Sequence, residues 1–381
     1  MKKYLSIILM TIGMKSYSQS QVNPTRIQVP SYQFQNFIYD ARSAGLGEGG
    51  IALSPDENSA YLNSARLSFL WNRADSTNKS LGIAVNYSPY ARNLIDDMNL
   101  LGANIYKVKN EREAFGLSVK YFMAGSVNLT DEVGTSIGVV TSSELSLAGI
   151  YSRKLSTKSS LAIGLKYIYS NLTGKQSLLG QSLSPSTSFA ADVYYFHTGK
   201  LYENQAHWLN YGASITNLGG KVSYGDVSNL NFQPTTLRLG LAQYIQVGRK
   251  NRLGLSLDAN RLLIPTPPVR DGKGNIVKGK DPAKVTALGT LIENWSSAPN
   301  GISETLKEIN YNLGIELTLQ ELLSLRGGYQ YQDRTKGNMK FFTLGLGAKV
   351  KGMNLDLSYL IPQESGNPLA HTLRFSLGMK L

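Results

Sequence analysis

The chain contains no cysteine, which excludes disulfide bonds and thiolate-ligated metal sites. It contains three histidines, His197, His207 and His371, so few residues are available as an imidazole base. After residue 18 no run of about 18 apolar residues occurs, and the sequence therefore predicts no transmembrane helix. Its 381 residues are enough for one large domain or two ordinary ones.

A dense cluster of Lys and Arg with interleaved aromatic residues is also missing, although the formal net charge is +13. The basic balance therefore does not indicate nucleic-acid binding, and we expect no such partner. High contents of glycine (37) and tyrosine (22) are typical of a β-rich chain.

The glycine-rich stretch Gly45-Leu46-Gly47-Glu48-Gly49-Gly50 matches G-x-G-x-x-G but lacks the context of a dinucleotide site. No apolar strand precedes it, and Pro55 interrupts the segment where the required helix has to continue. We interpret these glycines as positions of tight turns and close backbone packing, and expect no cofactor.

The first eighteen residues have the pattern of a secretory signal peptide. Lys2 and Lys3 precede a short apolar core, and small residues at Ser16 and Ser18 favour cleavage before Gln19. Residues 1–18 are therefore predicted to be removed.

Alternation with a period of two dominates the rest of the chain. In the last segment Leu373, Phe375 and Leu377 alternate with polar or small residues, which indicates a strand with one apolar face. About fourteen such segments recur, many about ten residues long, enough to cross a bilayer when tilted. They lie at about 80–90, 97–107, 112–124, 143–154, 159–171, 187–199, 207–217, 234–247, 251–260, 308–319, 322–332, 339–350, 353–361 and 370–381.

Short and long connections alternate along these segments. Turns such as "VKNE", "LSTK" and "GRK" alternate with longer stretches, among them 125–142 and 261–307. Outer-membrane barrels have short periplasmic turns and longer extracellular loops. The sequence therefore predicts an all-β fold, a transmembrane antiparallel barrel over residues 80–381, with 261–307 as its longest extracellular loop.

Residues 19–79 precede the first strand and are too polar to lie in lipid, so we expect them to fold into the barrel as a plug. Charged residues of this segment, Asp40, Arg42, Glu48, Asp56 and Glu57, are candidates to pair with the barrel wall. By alternation the wall residues that face inward are Lys120, Lys166, Asp192, Arg238, Asp258, Glu316, Arg326, Lys349, Asp356 and Arg374.

The stretch "DARSAGLGEGGIALSPDENSAYLNSA" resembles the N-terminal signature of the PorV (LptO) family of the Bacteroidota type IX secretion system. The similarity continues through "ITNLGGKVSYGD", "GYQYQDRTKGNMKFFTLGLG" and "NPLAHTLRFSLGMKL". It implies a FadL-like barrel of fourteen strands with an N-terminal plug. Asn63-Ser64-Ala65 departs from the more frequent Asn-Pro-Ala of the family. The positions carried by this plug motif are Asp40, Arg42, Gly45, Gly47, Gly49, Gly50, Asp56, Asn58 and Asn63.

The resemblance implies a non-enzymatic role in protein secretion at the outer membrane. Proteins of this family associate with the large translocon barrel and receive cargo that bears a conserved C-terminal signal domain. They pass it to a surface complex whose sortase-type peptidase attaches the cargo to lipopolysaccharide. We expect loop 261–307 to touch such partners through Arg270, Lys273, Lys278 and Trp295, since basic side chains bind acidic groups and Trp is enriched at interface hot spots.

Two alternatives stay open. The barrel type is compatible with uptake of hydrophobic solutes, because a fold does not fix a function. The second family name reflects a proposed lipid A deacylase activity, which requires a nucleophile beside a base. His371 is predicted to face lipid near the outer rim, whereas Ser358 is predicted to point inward, so we expect no catalysis.

Overall fold

The computed structural model describes residues 25–71, 81–92, 95–130, 133–172, 177–178, 181–182, 184–201, 207–225, 230–364, 367 and 369–381. The predicted signal peptide, residues 1–18, lies outside the described residues. Among the described residues no helix is both long and apolar enough to cross a membrane.

Fourteen antiparallel strands form one closed barrel in which each strand pairs with its neighbours in the chain. The first and last strands close the ring, with Val85 opposite Leu377. This confirms the predicted fold class. The strands are β1 (Leu81–Pro89), β2 (Asn99–Val108), β3 (Glu113–Thr130), β4 (Ser136–Lys154), β5 (Ser159–Asn171), β6 (Ser186–Lys200), β7 (His207–Gly219), β8 (Thr236–Val247), β9 (Asn251–Leu262), β10 (Asn310–Leu319), β11 (Leu323–Tyr331), β12 (Phe341–Val350), β13 (Met353–Pro362) and β14 (Leu373–Lys380).

The alternation of the sequence becomes an apolar outer surface and a polar inner one. On β14, Phe375 and Leu377 are exposed on the outside, while Arg374 and Ser376 are buried on the inside. Because side chains of a strand point alternately to opposite faces, the same division holds around the ring. An apolar exterior of this kind matches a lipid environment.

Short turns join the strands at one end of the barrel, which we call the short-turn end, and longer loops join them at the other, the long-loop end. The turn between β12 and β13 has two residues, 351–352, whereas the connection between β9 and β10 spans 263–309. The predicted connection 125–142 is mostly strand instead, because β3 and β4 continue to Thr130 and from Ser136 and pair with each other. This stretch is rich in Val and Thr, which favour strands.

The connection 263–309, the long loop, contains its own secondary structure. A small hairpin pairs Val269–Arg270 with Ile276–Lys278. Two short helices follow, which we call α3 (Thr290–Glu293) and α4 (Ile302–Lys307), with a 3-10 turn at Asn294–Ser296 between them.

Residues 25–71, the N-terminal segment, lie inside the ring of strands. The segment contains the helices α1 (Ala41–Ala44) and α2 (Ser59–Leu62) and two 3-10 helices, Gln33–Asn36 and Ser64–Leu70. Near its start the Ser31 N–H donates to the Phe232 carbonyl at 2.9 Å in a long-loop connection. Its last residue, Trp71, packs at the short-turn end against a cluster that includes Val108. The segment therefore runs through the barrel from end to end.

The glycines of the segment allow its backbone to approach the wall. Gly47 has φ of 71°, and a Cβ there would lie 2.7 Å from the Tyr329 carbonyl oxygen and 2.8 Å from that of Leu313. At Gly50 a Cβ would lie 2.6 Å from the Ser43 hydroxyl. Gly45 has an ordinary helical φ of −67°, but a Cβ there would lie 3.1 Å from the Cα atom of Gly345, closer than ordinary van der Waals contact.

We expect Gly47→Ala to destabilise the folded barrel by about 1–3 kcal/mol, because it adds a side chain in a left-handed conformation against backbone oxygens. The temperature at which the folded band shifts in semi-native electrophoresis measures this loss. Gly149→Ala is the matched control, since nothing lies within 4 Å of a Cβ on that β4 residue. Equal transition temperatures for the two variants would contradict the close fit at Gly47.

Candidate functional site

Charged residues of the N-terminal segment meet charged residues of the wall in a continuous chain of ion pairs. Arg42 lies 2.7 Å from Asp56 of its own segment and 3.0 Å from Glu316 on β10. Glu316 also accepts from Arg326 at 2.8 Å, and Arg326 reaches Asp356 on β13 at 2.6 Å. These predicted inward-facing charges are thus paired rather than left free in the lumen.

The other polar positions of the plug motif bind backbone and amide groups. Asp40 caps α1 by accepting from the Ser43 N–H at 2.8 Å. Asn58 accepts from the side-chain amides of Asn86 and Asn104, each at 2.9 Å. The Asn63 side chain donates to the Tyr195 carbonyl on β6 at 3.0 Å.

Two wall residues hold the backbone of the segment directly. The Lys120 ammonium donates to the carbonyl oxygens of Gln35 at 2.8 Å and Phe37 at 3.0 Å. One Asp258 carboxylate oxygen accepts from the consecutive N–H groups of Gly50 and Ile51. Alternation identified both side chains as inward-facing. Their partners are backbone carbonyl and N–H groups, and the sequence does not predict which of these groups they bind.

At the long-loop end a buried ion cluster, which we call the loop anchor, fixes the long loop. Lys336, between β11 and β12, lies 2.8 Å from Glu304 on α4 and 3.0 Å from Glu308. Glu308 also pairs with Arg261, the penultimate residue of β9, at 3.0 Å. Arg26, near the start of the N-terminal segment, binds Glu304 through two nitrogens at 2.9 and 3.0 Å. The anchor therefore joins two loops, one strand end and the segment.

The two short helices of the long loop expose large apolar side chains, which we call the apolar loop patch. Ile292 is 81% exposed and Ile302 is 74% exposed, and the other members are Leu288, Trp295 and Leu306. Ile302 and Leu306, four residues apart, share one face of α4, whereas Leu288 precedes α3 and Trp295 lies in the 3-10 turn after it. Sequence reasoning identified only Trp295, although the i, i+4 spacing of Ile302 and Leu306 carries the same signal.

The structure places the predicted loop residues in two groups. Arg270 and Lys273 lie on the exposed hairpin, where Arg270 donates to the Gly274 carbonyl at 2.7 Å. Lys278 reaches the side chain of Asn300, just before α4, at 2.9 Å. Trp295 covers the guanidinium of Arg261 at 4.3 Å from its ring centroid, so it connects the patch to the anchor.

A closed fourteen-stranded barrel with an apolar exterior and a filled polar interior defines an integral outer-membrane β-barrel protein. Residues 19–269 match the family model described as "Type IX secretion system protein PorV", and the chain belongs to this family. The short-turn end is accordingly the periplasmic end and the long-loop end is extracellular.

Solved structures show the same fold at low sequence identity. The monoaromatic hydrocarbon channel CymD is 10% identical, with 90% of this chain and 97% of that chain covered at a TM-score of 0.50. The P. putida toluene transporter TodX is 11% identical, with 90% and 98% covered at 0.50. A Pseudomonas aeruginosa FadL homologue is 12% identical, with 93% and 99% covered at a TM-score of 0.45. No curated protein matches the chain.

The loop anchor has a defined pH dependence. Burial raises the pKa of the Glu304 carboxyl, but hydrogen bonds from Arg26 and Lys336 outweigh burial and lower this pKa to about 2, from 4.5. A depressed carboxyl pKa contributes stability that is present above the unfolded value and is lost as the pH falls through the folded one. We therefore expect the long loop to resist limited proteolysis from neutral pH down to about pH 4.

Glu304→Gln removes the charge that pairs with Arg26 and leaves Lys336 with Glu308 as its remaining acidic partner, so we expect cleavage of the long loop at neutral pH as well. Glu364→Gln, on another extracellular connection and outside the anchor, is the control. A wild-type loop that becomes protease-sensitive already near pH 5 would show that the anchor does not hold it.

Proposed function

We propose that the protein binds secreted cargo at the type IX translocon and shuttles it to the cell-surface attachment complex. The cargo carries a conserved C-terminal signal domain, and the partners are the large translocon barrel and a sortase-type peptidase complex that acts at lipopolysaccharide. Family membership supports the secretion role. The observation that carries the binding role is the apolar loop patch, held in a fixed position on the extracellular end.

The patch has the properties of a docking surface for a folded protein. Apolar residues that stay exposed as a group, and an aromatic residue among them, are enriched at protein interfaces. The loop anchor holds α4 through Glu304 and holds Trp295 through Arg261, so binding requires little ordering of this part of the loop. Arg270, Lys273 and Lys278 add positive charge on the neighbouring hairpin, which suits acidic groups of the cargo or phosphates of lipopolysaccharide.

The N-terminal segment acts as a plug in this proposal. Its contacts to Lys120, Asp258 and Glu316 distribute attachment points around the wall. Cargo then moves along the outside of this barrel, and the translocon provides the path across the membrane.

Uptake of hydrophobic solutes is the second candidate. It is favoured by an apolar cluster inside the extracellular half of the barrel, which includes Tyr90, Phe122 and Phe341. However, Tyr32 and Phe34 of the N-terminal segment pack into the same cluster. Affinity purification from membranes separates the candidates, because recovery of a large barrel or a surface peptidase supports secretion, whereas recovery of hydrophobic solute alone supports uptake.

Replacing Ile292 and Ile302 with Asp should reduce cargo on the surface at least severalfold, because charged groups interrupt the apolar contact. Both residues are exposed, so barrel abundance and heat-modifiable mobility should stay unchanged. Leu230→Asp, which alters an exposed apolar residue of another extracellular connection, is the matched control. Signal-domain cargo is quantified in periplasm, surface and medium fractions.

Deleting about 270–285 removes the hairpin and its cations, but no strand of the barrel and no member of the loop anchor. We expect this variant also to lower surface cargo while the barrel assembles. Normal cargo distribution in both variants would show that the long loop is a passive surface and that recognition lies elsewhere.

A lipid A deacylase site is not supported by the positions of the candidate groups. His371 is exposed and contacts the Tyr359 hydroxyl, whereas Ser358 is buried on the inner face. Residues 134–138 match G-x-S-x-G by sequence, but Ser136 begins β4 in a β-hairpin and does not lie at the strand-to-helix elbow that the chemistry requires. We therefore propose that the protein is not an enzyme.

His371→Ala should leave the acylation of lipid A and the secretion of cargo unchanged, since no nucleophile accompanies the imidazole. Lipid A mass spectra of wild-type and variant strains check this. An additional acyl chain in the variant strain is the result that revives the deacylase.

A further inference from the structure

The cationic excess of the chain is concentrated at the periplasmic end. We call the periplasmic turns, together with the two strand residues on either side of each, the periplasmic rim. In its described part the rim contains thirteen Lys and Arg against three acids, Glu111, Glu113 and Glu321. The cations are Lys107, Lys109, Arg112, Arg153, Lys154, Lys158, Lys200, Arg249, Lys250, Arg252, Lys349, Lys351 and Lys380.

The extracellular end has no comparable excess. Counted in the same way, with two strand residues on either side of each connection, its described part carries thirteen Lys and Arg against nine Asp and Glu, a difference of +4, whereas the rim has a difference of 13 − 3, or +10. Most of the formal net charge of +13 thus resides in one narrow band of the molecule.

Few of these cations are neutralised by an acid in the part of the chain that the structure describes. Ion pairs to described acids are formed by Lys109 and Arg153, both to Glu113, and by Arg252 to Glu316 at 3.9 Å. Lys107, Arg112, Lys158 and Lys351 are exposed and have no such pair to an acid that the structure describes. Unpaired cations at this density repel one another and attract anions.

The cations are distributed around the circumference. They occur on the turns after β2, β4, β8 and β12 and at the ends of β6 and β14, so they are not confined to one side. They lie where the apolar outer surface ends, at the level of the headgroups of the inner leaflet. Long basic side chains at such a boundary pack their stems on apolar surface and extend their charges to headgroup phosphates.

We propose that the periplasmic rim binds the headgroups of anionic phospholipids in the inner leaflet of the outer membrane. Exposed cations on the turns after β2, β4, β8 and β12 face lipid on several sides of the barrel, whereas a docking site for an acidic protein is a patch on one side. Lys250, Arg252 and Lys349 line a polar vestibule of about 380 Å³ at the mouth and do not belong to the lipid-facing set.

The test compares the intact protein with a rim variant, Lys107→Gln, Arg112→Gln, Lys158→Gln and Lys351→Gln combined. The control variant combines Lys284→Gln, Lys307→Gln, Arg334→Gln and Lys340→Gln at the extracellular end. Each protein is reconstituted in vesicles of phosphatidylethanolamine with one quarter phosphatidylglycerol, and retained lipids are counted by native mass spectrometry.

We expect wild type and control to retain phosphatidylglycerol in preference to phosphatidylethanolamine, and this preference to fall about tenfold or more in the rim variant. The preference of the wild type should also weaken at high salt, because screening acts on exposed charges. Equal retention by wild type and rim variant overturns the proposal. The proposal is also overturned if the wild type shows no lipid preference and an acidic protein purifies with the wild type but not with the rim variant.

Discussion

The structure depends on the requirement that polar groups inside the barrel find partners away from bulk water. Wall charges such as Glu316, Asp258 and Lys120 are buried, and an unpaired buried charge costs several kcal/mol. The N-terminal segment satisfies them with an arginine, two N–H groups and carbonyl oxygens, respectively. The same contacts satisfy the backbone of a segment that has little regular secondary structure, so wall and segment stabilise each other.

This dependence extends to the extracellular surface through Arg26. The N-terminal segment begins at that end, and its bidentate contact to Glu304 connects it to α4. Glu304 shares Lys336 with Glu308, and Glu308 pairs with Arg261, on which Trp295 is stacked. The position of the apolar loop patch is thus set by a buried polar cluster and not by the patch itself, which explains how large apolar side chains stay exposed without the loop collapsing.

Periodicity predicted the barrel because a strand in a membrane has one lipid-facing side, and this requirement marks every second residue. It placed Arg326 and Arg374 inward without any structural information. It ended β3 too early and began β4 too late, since Val127 and Val139 belong to a hairpin beyond the neighbouring strands, where alternation is no longer imposed by lipid. It had no means to pair Arg26 with Glu304, which are 278 residues apart, and their contact exists only because the segment passes through the barrel.

The two ends of the barrel differ in how their surfaces are constructed. At the extracellular end charges are more nearly balanced and partly buried, so they serve to fix loops and leave apolar side chains for contact with proteins. At the periplasmic end the turns have two to four residues where they are fully described, too short to build a folded surface, and there the exposed cations themselves form the surface. The net charge of a chain is therefore informative only after the fold assigns it to a location. For this protein most of the bulk value of +13 lies at one rim and not on the surface that we propose for cargo.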